Sequence, residues 1–388
     1  MALMNNYARL PVAFVRGEGV WLYDESGRKY LDALAGIAVC GLGHSHPAVT
    51  TALQEQAGKL LHTSNLYQIP EQAALSDDLC RLSGLDAVFF CNSGAEANEA
   101  AIKLARLHGH ARGIAEPKIL VFTQSFHGRT LAALTATGNR KIQEGFTPLV
   151  AGFVRAPYGD LATVRGMLSA DPDIVAVLVE PVQGEGGVRP APAGFLRGLR
   201  ALCDEHQALL LCDEVQTGIG RSGRYFAFQH EEDLLPDVLC LAKGLGNGVP
   251  IGAIVARQAA ADLFGPGKHG STFGGGPLVC AAARAVLRTM EAEDLPAHAA
   301  AMGELLQGRL RERFRGHPAV EEVRGLGLMV GIVLRQEPKD FVRRALGAGV
   351  LLNVTAGRVI RLLPPLIFGP AEIDLLVDTL AKLLQEEA

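Results

Sequence analysis

Four short, almost purely apolar runs between residues 119 and 242 constrain the fold of this chain more than any other feature. They lie at residues 119–122 (ILVF), 174–179 (IVAVLV), 208–212 (ALLLC) and 238–242 (VLCLA), and helical patterns separate them. Strands that are covered on both faces have continuous apolar sequences of this kind, whereas a strand with one solvated face alternates. The sequence therefore predicts an α/β fold built on a mostly parallel sheet.

Polar or charged residues follow each of these runs. Gln124 and Ser125 follow the first run, Glu180 the second, Asp213 the third and Lys243 the fourth. Open α/β sheets bind their ligands beyond the carboxyl ends of the strands. We therefore expect these side chains to converge on one crevice.

The two ends of the chain have other patterns. Residues 19–32 (GVWLYDESGRKYLD) predict a β-hairpin that turns at residues 25–27. After a glycine-rich stretch at residues 265–277, the tail ends in a helix that Pro370 starts. One face of this helix carries the apolar residues Ile373, Leu376, Val377, Leu380 and Leu384.

Length and composition favour a two-domain enzyme of small molecules. The 388 residues are 48% hydrophobic, enough for a large domain at residues 49–274 and a smaller one from residues 1–48 and 275–388. The net charge is −4 with both signs interspersed, which argues against nucleic acid or an anionic membrane as a partner. No signal peptide or bilayer-length apolar run is recognisable, so we expect a cytoplasmic protein.

The cysteines indicate neither disulfides nor a metal site. They lie in apolar segments and form no CxxC pair or zinc-like spacing with histidine. We expect reduced core residues at Cys40, Cys80, Cys91, Cys203, Cys212, Cys240 and Cys280.

Three local features suggest a reactive site. The turn at residues 93–95 precedes a predicted helix over residues 96–108, whose free N–H groups and dipole favour a phosphate, although an ordinary strand-to-helix turn has the same pattern. Asp213 needs a cationic partner, such as a pyridinium nitrogen or an arginine, or a helix to cap. Lys243 opens a glycine-rich loop, where a desolvated amine can bind a carbonyl cofactor covalently, but a lysine at a strand end is also usual on a surface.

Eight segments together resemble the class III pyridoxal-phosphate aminotransferases, in family order and over nearly the whole chain. They are GLGHSHP (41–47), NSGAEANEAAIK (92–103), SFHGRT (125–130), VEPVQGEGGV (179–188), LCDEVQTGIGRSGRYFAFQH (211–230), LAKGLGNGVPIGA (241–253), STFGG (271–275) and RLLPPL (361–366). The resemblance implies the fold-type I architecture, in which a large domain with a mostly parallel seven-stranded sheet adjoins a smaller α+β domain from both termini. It also implies pyridoxal 5'-phosphate (PLP) as cofactor and a homodimer with shared active sites.

The resemblance also implies a role for each matching cofactor residue. Lys243 would carry PLP and then move the proton between the substrate and cofactor carbons, and Asp213 would keep the pyridine nitrogen protonated. Residues 93–95 would bind the phosphate, and Thr272 would reach the phosphate of the partner subunit. The implied cofactor contacts are Ser93, Gly94, Ala95, Phe126 and Val215 on the two ring faces, His127, Gln216 at the ring hydroxyl, and Thr272.

By the same resemblance, four residues would bind the substrates. Arg129 would hold the α-carboxylate of the amino donor and the distal carboxylate of 2-oxoglutarate, and Ser271 would also contact substrate. Arg361 would hold the α-carboxylate of the keto acid, since arginine binds carboxylates through two parallel hydrogen bonds. Glu185 would pair with Arg361 while the donor is bound and swing away for the acceptor.

The amino donor is less strongly indicated than the chemistry. The motifs are most similar to the branch of the family that uses N-acetylornithine and 2-oxoglutarate, and apolar Ile37 suits an acylated α-amine. Enzymes for succinylornithine, N-succinyl-diaminopimelate, carrier-linked lysine and 4-aminobutyrate share the cofactor motifs. A non-catalytic PLP-binding protein and an intramolecular aminomutase are two further hypotheses. Gly276 and Asn247 depart from the usual family residues, and we expect small loop adjustments there.

Overall fold

A computed structural model describes residues 2–385 of the chain. The outermost residues of the expected small domain, Met1 and 386–388, lie outside this range. The strands are β1 (Phe14–Glu18), β2 (Trp21–Asp24), β3 (Lys29–Asp32), β4 (Ala87–Cys91), β5 (Lys118–Phe122), β6 (Phe153–Ala156), β7 (Ile174–Val179), β8 (Val182–Gln183), β9 (Arg189–Pro190), β10 (Leu209–Asp213), β11 (Val238–Leu241), β12 (Gly252–Ala256), β13 (Val320–Leu326), β14 (Met329–Leu334), β15 (Val350–Leu351), β16 (Asn353–Thr355) and β17 (Val359–Leu362).

Helices surround these strands, and none that residues 2–385 form is long and apolar enough to cross a membrane. The helices are α1 (Ala35–Ala38), α2 (Pro47–Ala57), α3 (Pro70–Ser83), α4 (Gly94–Ala111), α5 (Leu131–Ala136), α6 (Leu161–Ala170), α7 (Phe195–Glu205), α8 (Gln258–Ala261), α9 (Pro277–Ala292), α10 (Leu295–Arg313), α11 (Phe341–Gly347) and α12 (Pro370–Gln385), with 3₁₀ turns at Arg140–Ile142, Ala227–His230 and Lys243–Leu245.

The largest sheet of the described residues has seven strands in the order β4-β12-β11-β10-β7-β5-β6. Its strands run parallel except β12, which is antiparallel to both of its neighbours. The four apolar runs are β5, β7, β10 and β11, and every residue of β7, β10 and β11 is buried. The predicted α/β class and mostly parallel sheet are therefore confirmed.

Helix α4 is longer than the sequence predicted. It was expected over residues 96–108 but runs over Gly94–Ala111, because Ser93 caps it and accepts a hydrogen bond from the N–H of Glu96 at 3.2 Å. Gly94 is required there, since a Cβ on it would lie 2.5 Å from Cγ1 of Val215. The amino terminus of α4 is thus pressed directly against the segment that follows β10.

The chain ends form further sheets. The predicted hairpin is confirmed as β2 and β3, which turn on hydrogen bonds from the N–H groups of Ser26 and Arg28 to the Asp24 carboxylate. Strand β3 also pairs in parallel with β15 from the C-terminal part. A further sheet has the order β13-β14-β17-β16, and the final helix α12 buries the predicted apolar face.

Two arginines fasten the β13-β14-β17-β16 sheet to the loops beyond the large sheet. Buried Arg221 donates hydrogen bonds to the carbonyls of Leu328, at 2.9 Å, and Pro364. Arg324 on β13 donates to the carbonyls of Gly187, at 2.8 Å, and Val188. The segment around Arg361 is therefore held against the loop that carries Glu185.

The expectation that every cysteine is a core residue fits five positions fully. Cys40 and Cys80 are only half-buried: Cys40 lies in a loop, and Cys80 on α3 packs against the core with part of its surface exposed. The other five are buried, and all seven thiols are free.

Candidate active site

A cavity of about 400 Å³ lies where strands of the large sheet end. Strand β10 lies between β11 and β7 in the sheet, so the residues that follow these three strands emerge side by side. They are Asp213, Lys243 and Glu180, and all three line the cavity. Gln124 and Ser125 do not: Gln124 is exposed, and the buried Ser125 hydroxyl donates to the carbonyl of Phe122 at 2.8 Å. The predicted crevice thus forms from three of the four strand ends.

Asp213 is the centre of a buried polar network. Its Oδ2 accepts hydrogen bonds from Nδ2 of Asn98 at 2.7 Å and from Nδ1 of His127 at 2.8 Å, while its Oδ1 accepts from the N–H of Val215 at 3.1 Å. Asn98 Nδ2 also donates to the carbonyl of His127 at 2.7 Å. Three donors fix the orientation of this buried carboxyl group, which is suited to accept a hydrogen bond from a protonated ring nitrogen.

Lys243 lies beside Asp213 in a half-buried position, at the start of the 3₁₀ turn after β11. Burial lowers the pKa of its amine, and the nearby Arg361 lowers it further, whereas Asp213 raises it. Because burial outweighs the attraction of the carboxylate, a larger share of the amine is unprotonated and nucleophilic than for a lysine in water.

The amino terminus of α4 forms another wall of the cavity. Ser93, Gly94 and Ala95 all line it. The first N–H groups of an α-helix have no partner within the helix, and the helix dipole adds positive potential at that end. This wall is therefore suited to a phosphate.

Two side chains of different character flank the cavity. Phe126 and Val215 both line it, and the backbone N–H of Phe126 donates to Oε2 of Glu180 at 3.0 Å. Gln216 lines it as well, and its Oε1 accepts a hydrogen bond from Arg361 at 3.3 Å. An aromatic and a β-branched residue give the apolar contacts that a flat ring requires on its faces.

Arg361 and Glu185 form an ion pair next to Gln216 rather than in the cavity wall. Nη1 of Arg361 lies 2.5 Å from Oε1 of Glu185. The arginine side chain is 0% exposed, whereas that of Glu185 is 36% exposed. Glu185 lies in the short loop between β8 and β9, while Arg361 belongs to β17. The less buried, loop-borne glutamate is thus the partner that can move.

The remaining predicted site residues lie at the rim. Arg129 is exposed, lines the cavity and has its guanidinium carbon 5.6 Å from the centre of the Phe126 ring. Ser271 Oγ accepts a hydrogen bond from Nδ2 of Asn92, which lines the cavity, at 3.2 Å. Thr272 is exposed and does not line the cavity of this single chain.

Three residues near the site had no catalytic or binding role assigned from the sequence: Asn98, Asn353 and Glu180. Asn98 lies among buried alanines and leucines on the inner face of α4, where an amide signals a specific partner. Burial raises the pKa of the Glu180 carboxyl to about 7, against the opposing effect of His127. Glu180 also accepts from the N–H groups of Phe126 and Gly184, so it ties the two loops that flank the cavity.

These residues fit PLP in each of its reactive parts. The amine of Lys243 fits the aldehyde, Asp213 the ring nitrogen and the α4 terminus the phosphate. Buried polar atoms at His127 Nε2 and Asn98 Oδ1 also have no hydrogen-bond partner among residues 2–385. Such atoms are costly unless a ligand or water satisfies them.

Asn247 and Gly276 were predicted to depart from the usual family residues, and both lie in loops. The Asn247 side chain accepts from the N–H of Leu42 at 2.8 Å and donates to the carbonyl of Gly43 at 3.1 Å. Gly276 precedes the first residue of α9. Asn247 therefore joins the Lys243 loop to residues 41–47.

Comparisons with known proteins point to one family. A model of the family described as class-III aminotransferases matches residues 2–384. The chain is 54% identical over 382 residues to acetylornithine aminotransferase of Nitrosomonas europaea, covering 98% of this chain and 97% of that protein. Its fold is similar to that of an ornithine aminotransferase from Toxoplasma gondii whose structure holds PLP at partial occupancy, with a TM-score of 0.96, 34% identity, and coverage of 100% of this chain and 93% of that one. It is also similar to the acetylornithine aminotransferase of Elizabethkingia anophelis, with a TM-score of 0.90, 38% identity, and coverage of 99% of this chain and 96% of that one.

Proposed function

The chain belongs to the class-III aminotransferases, which are PLP-dependent transaminases, and on this premise we propose that it transfers the distal amino group of N-acetylornithine to 2-oxoglutarate. The products are N-acetylglutamate 5-semialdehyde and glutamate, and the reaction belongs to arginine biosynthesis. The 54% identity to an acetylornithine aminotransferase over almost the whole chain supports this donor and acceptor.

One observation carries the proposal: the buried Arg361 is paired with the more exposed Glu185 beside the cavity. The donor reacts at its distal amine, while 2-oxoglutarate reacts at its α-carbon, so the same site must accept an α-carboxylate in only one half-reaction. With Glu185 in place, the charge of Arg361 is neutralised and a distal amine fits. With Glu185 withdrawn, Arg361 binds the α-carboxylate of the keto acid.

The site residues divide the chemistry among them. PLP, when bound, supplies an aldehyde and an electron-withdrawing ring. Lys243 would hold the cofactor at rest, and its amine would then take the proton from the δ-carbon of the donor. Asp213, oriented by Asn98 and His127, would accept a hydrogen bond from the ring nitrogen. Ser93, Gly94 and Ala95 would bind the phosphate, and Arg129 would bind the carboxylate farther from the reacting carbon.

The surroundings of Ile37 support an acylated donor. Ile37 is half-buried and packs with an apolar cluster that includes Ala38, Val182 and Val188. Val182 also lines the cavity. An apolar wall accepts an acetyl group more readily than a charged α-ammonium, which would lose its hydration there. Succinylornithine, N-succinyl-diaminopimelate and 4-aminobutyrate are the competing donors.

The donor is tested by half-reactions of the PLP-loaded enzyme. N-Acetylornithine, ornithine, N-succinylornithine, N-succinyl-diaminopimelate and 4-aminobutyrate are mixed separately with the enzyme, and the conversion of the cofactor to its amino form is followed by absorbance. N-Acetylornithine should react fastest. A faster reaction with another donor overturns the substrate but leaves the aminotransferase, whereas no reaction with any donor favours a non-catalytic PLP-binding protein.

We also propose that the enzyme is a homodimer with shared active sites. Exposed apolar side chains gather at Leu60, Leu61, Leu66, Tyr67 and Phe273. Asn65 joins the two segments, donating to the carbonyls of Ser271 and Gly274 at 3.1 and 3.0 Å. Exposed apolar side chains on two joined segments are typical of an interface between proteins, and Thr272 belongs to one of these segments.

The domain division and the cellular location are also proposed. The large domain at residues 49–274 and the small domain at residues 1–48 and 275–388 are supported by the pairing of β3 with β15. A cytoplasmic location is supported by the seven free thiols, which persist in reducing compartments.

A further inference from the structure

The hydrogen bonds of the Arg361 guanidinium are divided unevenly among its nitrogens. Nε donates to Oδ1 of Asn353 at 3.1 Å, and Nη1 donates to Glu185 at 2.5 Å and to Gln216 at 3.3 Å. Nη2 is buried and has no partner among the described residues. If Glu185 withdraws, the guanidinium keeps its hydrogen bonds to Asn353 and Gln216, and both Nη1 and Nη2 become available to a carboxylate.

Asn353 is suited to orient this arginine without neutralising it. It lies directly opposite Arg361 in the antiparallel pairing of β16 with β17, where side chains project to the same side. Its amide oxygen accepts the Nε–H bond but carries no charge, so Arg361 keeps its full attraction for a carboxylate. An aspartate at this position would neutralise the charge of Arg361 permanently, whereas Glu185 does so only while it is paired with the arginine.

Thr355, two residues farther along β16, supports the other partner. Its hydroxyl donates to the backbone carbonyl of Glu185 at 2.6 Å. Side chains two residues apart in a strand project to the same face, so Asn353 and Thr355 both face the ion pair. This hydrogen bond anchors the backbone of Glu185 at its carbonyl and leaves the side chain free to rotate.

Resting on the proposed function, we propose that β16 is the specificity-determining support of the acceptor site. Asn353 is the positioning residue that keeps Arg361 aimed at the α-carboxylate of a 2-oxo dicarboxylic acid after Glu185 has withdrawn. Thr355 keeps the Glu185 carboxylate within reach of Arg361 while the amino donor is bound. One strand therefore sets both states of the exchange.

The first test measures binding rather than turnover. Glutarate, a dicarboxylate that cannot be transaminated, is titrated by calorimetry into the enzyme loaded with the amino form of the cofactor. Asn353→Ala should weaken glutarate binding by about tenfold, the usual cost of one hydrogen bond to a charged group. Asn353→Asp, which preserves shape, should weaken it at least as much, because the added carboxylate neutralises Arg361. Val354→Ala, on the opposite face of β16, is the control and should bind as the wild type.

A kinetic comparison separates positioning from a general loss of structure. In Asn353→Ala, the KM for 2-oxoglutarate should rise, and the rate of the N-acetylornithine half-reaction should fall much less. We expect the fold-increase in KM to be at least about five times the fold-decrease in that rate. A misfolded site would impair both reactions alike. When Asn353→Ala is added to Glu185→Ala, glutarate should again bind more weakly than in Glu185→Ala alone, because Asn353 acts on Arg361 directly. Equal glutarate affinity in Glu185→Ala and the double variant would overturn the role of Asn353.

Replacing Thr355 should change the preference between the two amino donors, glutamate and N-acetylornithine, in favour of glutamate. Thr355→Val removes the hydroxyl at nearly constant volume, so Glu185 neutralises Arg361 less completely. The half-reaction with glutamate should then speed up relative to that with N-acetylornithine by about threefold or more, and Thr355→Ser should restore the wild-type ratio. An unchanged ratio in Thr355→Val overturns the role of Thr355.

The two proposals fail in distinguishable ways. Wild-type enzyme that neither binds glutarate nor reacts with N-acetylornithine contradicts the proposed function. Wild-type enzyme that does both, with glutarate binding unchanged in Asn353→Ala and Asn353→Asp, leaves the proposed function standing and contradicts the role of Asn353.

Discussion

Individual side chains of the site depend on burial for their chemistry. Asp213 is 4% exposed and accepts from three donors, while the amine of Lys243 has its pKa lowered chiefly by burial. Desolvation favours the unprotonated amine of Lys243, and the three hydrogen bonds hold the Asp213 carboxylate in a fixed orientation. Two adjacent groups are thus prepared for different tasks, one as a nucleophile and the other as a hydrogen-bond acceptor.

Replacing Lys243 tests the central residue. Lys243→Ala should abolish turnover and the absorbance band of the lysine-bound cofactor, because no other lysine among residues 2–385 lines the cavity. The measurement is the absorbance spectrum of the PLP-loaded enzyme together with the half-reaction. Lys382→Ala, on the exposed side of α12, is the control. An unaltered spectrum and normal activity in Lys243→Ala would contradict the assignment.

Glu214, next to Asp213, should make stability depend on pH. Burial raises its carboxyl pKa from 4.5 to about 7, while hydrogen bonds from the N–H groups of Ala227 and Phe228 oppose the rise. Between these values the folded chain binds a proton that the unfolded chain releases. The free energy of unfolding therefore falls as pH rises through this window, and the contribution of this group is up to about 3 kcal/mol.

Glu214→Gln removes this titration. In urea unfolding at about pH 5 and about pH 7.5, the wild type should lose more stability with rising pH than the variant does. Glu180 titrates in both proteins, so its contribution cancels in the comparison. The exposed Glu304 provides the control variant Glu304→Gln. Equal pH slopes in the wild type and Glu214→Gln would exclude Glu214 as the source.

At the scale of elements, helices α4 and α12 have different tasks. The amino terminus of α4 lines the cavity, whereas α12 buries an apolar face against α10 and α11. The end of α4 therefore provides polar groups for ligand binding, whereas the buried face of α12 stabilises the fold.

The matched leucines of α12 test that division. Leu380 is 0% exposed and Leu375 is 46% exposed on the same helix. Leu380→Ala should lower the free energy of unfolding by about 2–5 kcal/mol, because it removes buried contacts and leaves a cavity. Leu375→Ala should cost much less. Urea denaturation measures both, and a similar loss in the two variants would show that the buried face of α12 is not the source of its stabilisation.

At the scale of the whole molecule, Thr272, which was predicted to bind the phosphate of the partner subunit, lies outside the cavity of the single chain. Thr272 and Phe273 belong to the segment STFGG, which resembles a motif of the family. Both residues are nevertheless exposed, Phe273 by 66%. A second copy that covers this surface would bury Phe273 and supply the apolar contact that it lacks.

Phe273→Ser should therefore weaken self-association. We expect sedimentation velocity to show a dimer for the wild type and a larger monomer fraction for the variant at the same concentration, because a large apolar contact is lost. Phe146→Ser, at another exposed aromatic residue, is the control. A monomeric wild type would contradict the proposed homodimer, and an equally stable variant dimer would place its interface elsewhere.

The sequence by itself determined the class of fold and the chemistry of the cofactor. Continuous apolar runs specify buried parallel strands because covered strands exclude polar side chains on both faces, and β5, β7, β10 and β11 form as predicted. The resemblance of eight segments to the class III aminotransferases indicated the cofactor and the reaction type, because these segments keep the family's residues and order along the chain. The length of α4 was underestimated, since small residues such as Gly94 and Ala95 do not by themselves show where a helix begins.

Only the tertiary structure decided which distant residues meet. The strand order β4-β12-β11-β10-β7-β5-β6 differs from the order along the chain, so no local pattern states that Asn98 and His127 both bind Asp213. The pairing of β16 with β17 likewise places Asn353 against Arg361, while Arg324 and Thr355 hold the Glu185 loop beside them. These contacts depend on register and packing between segments far apart in sequence, which the apolar periodicity of each segment does not encode.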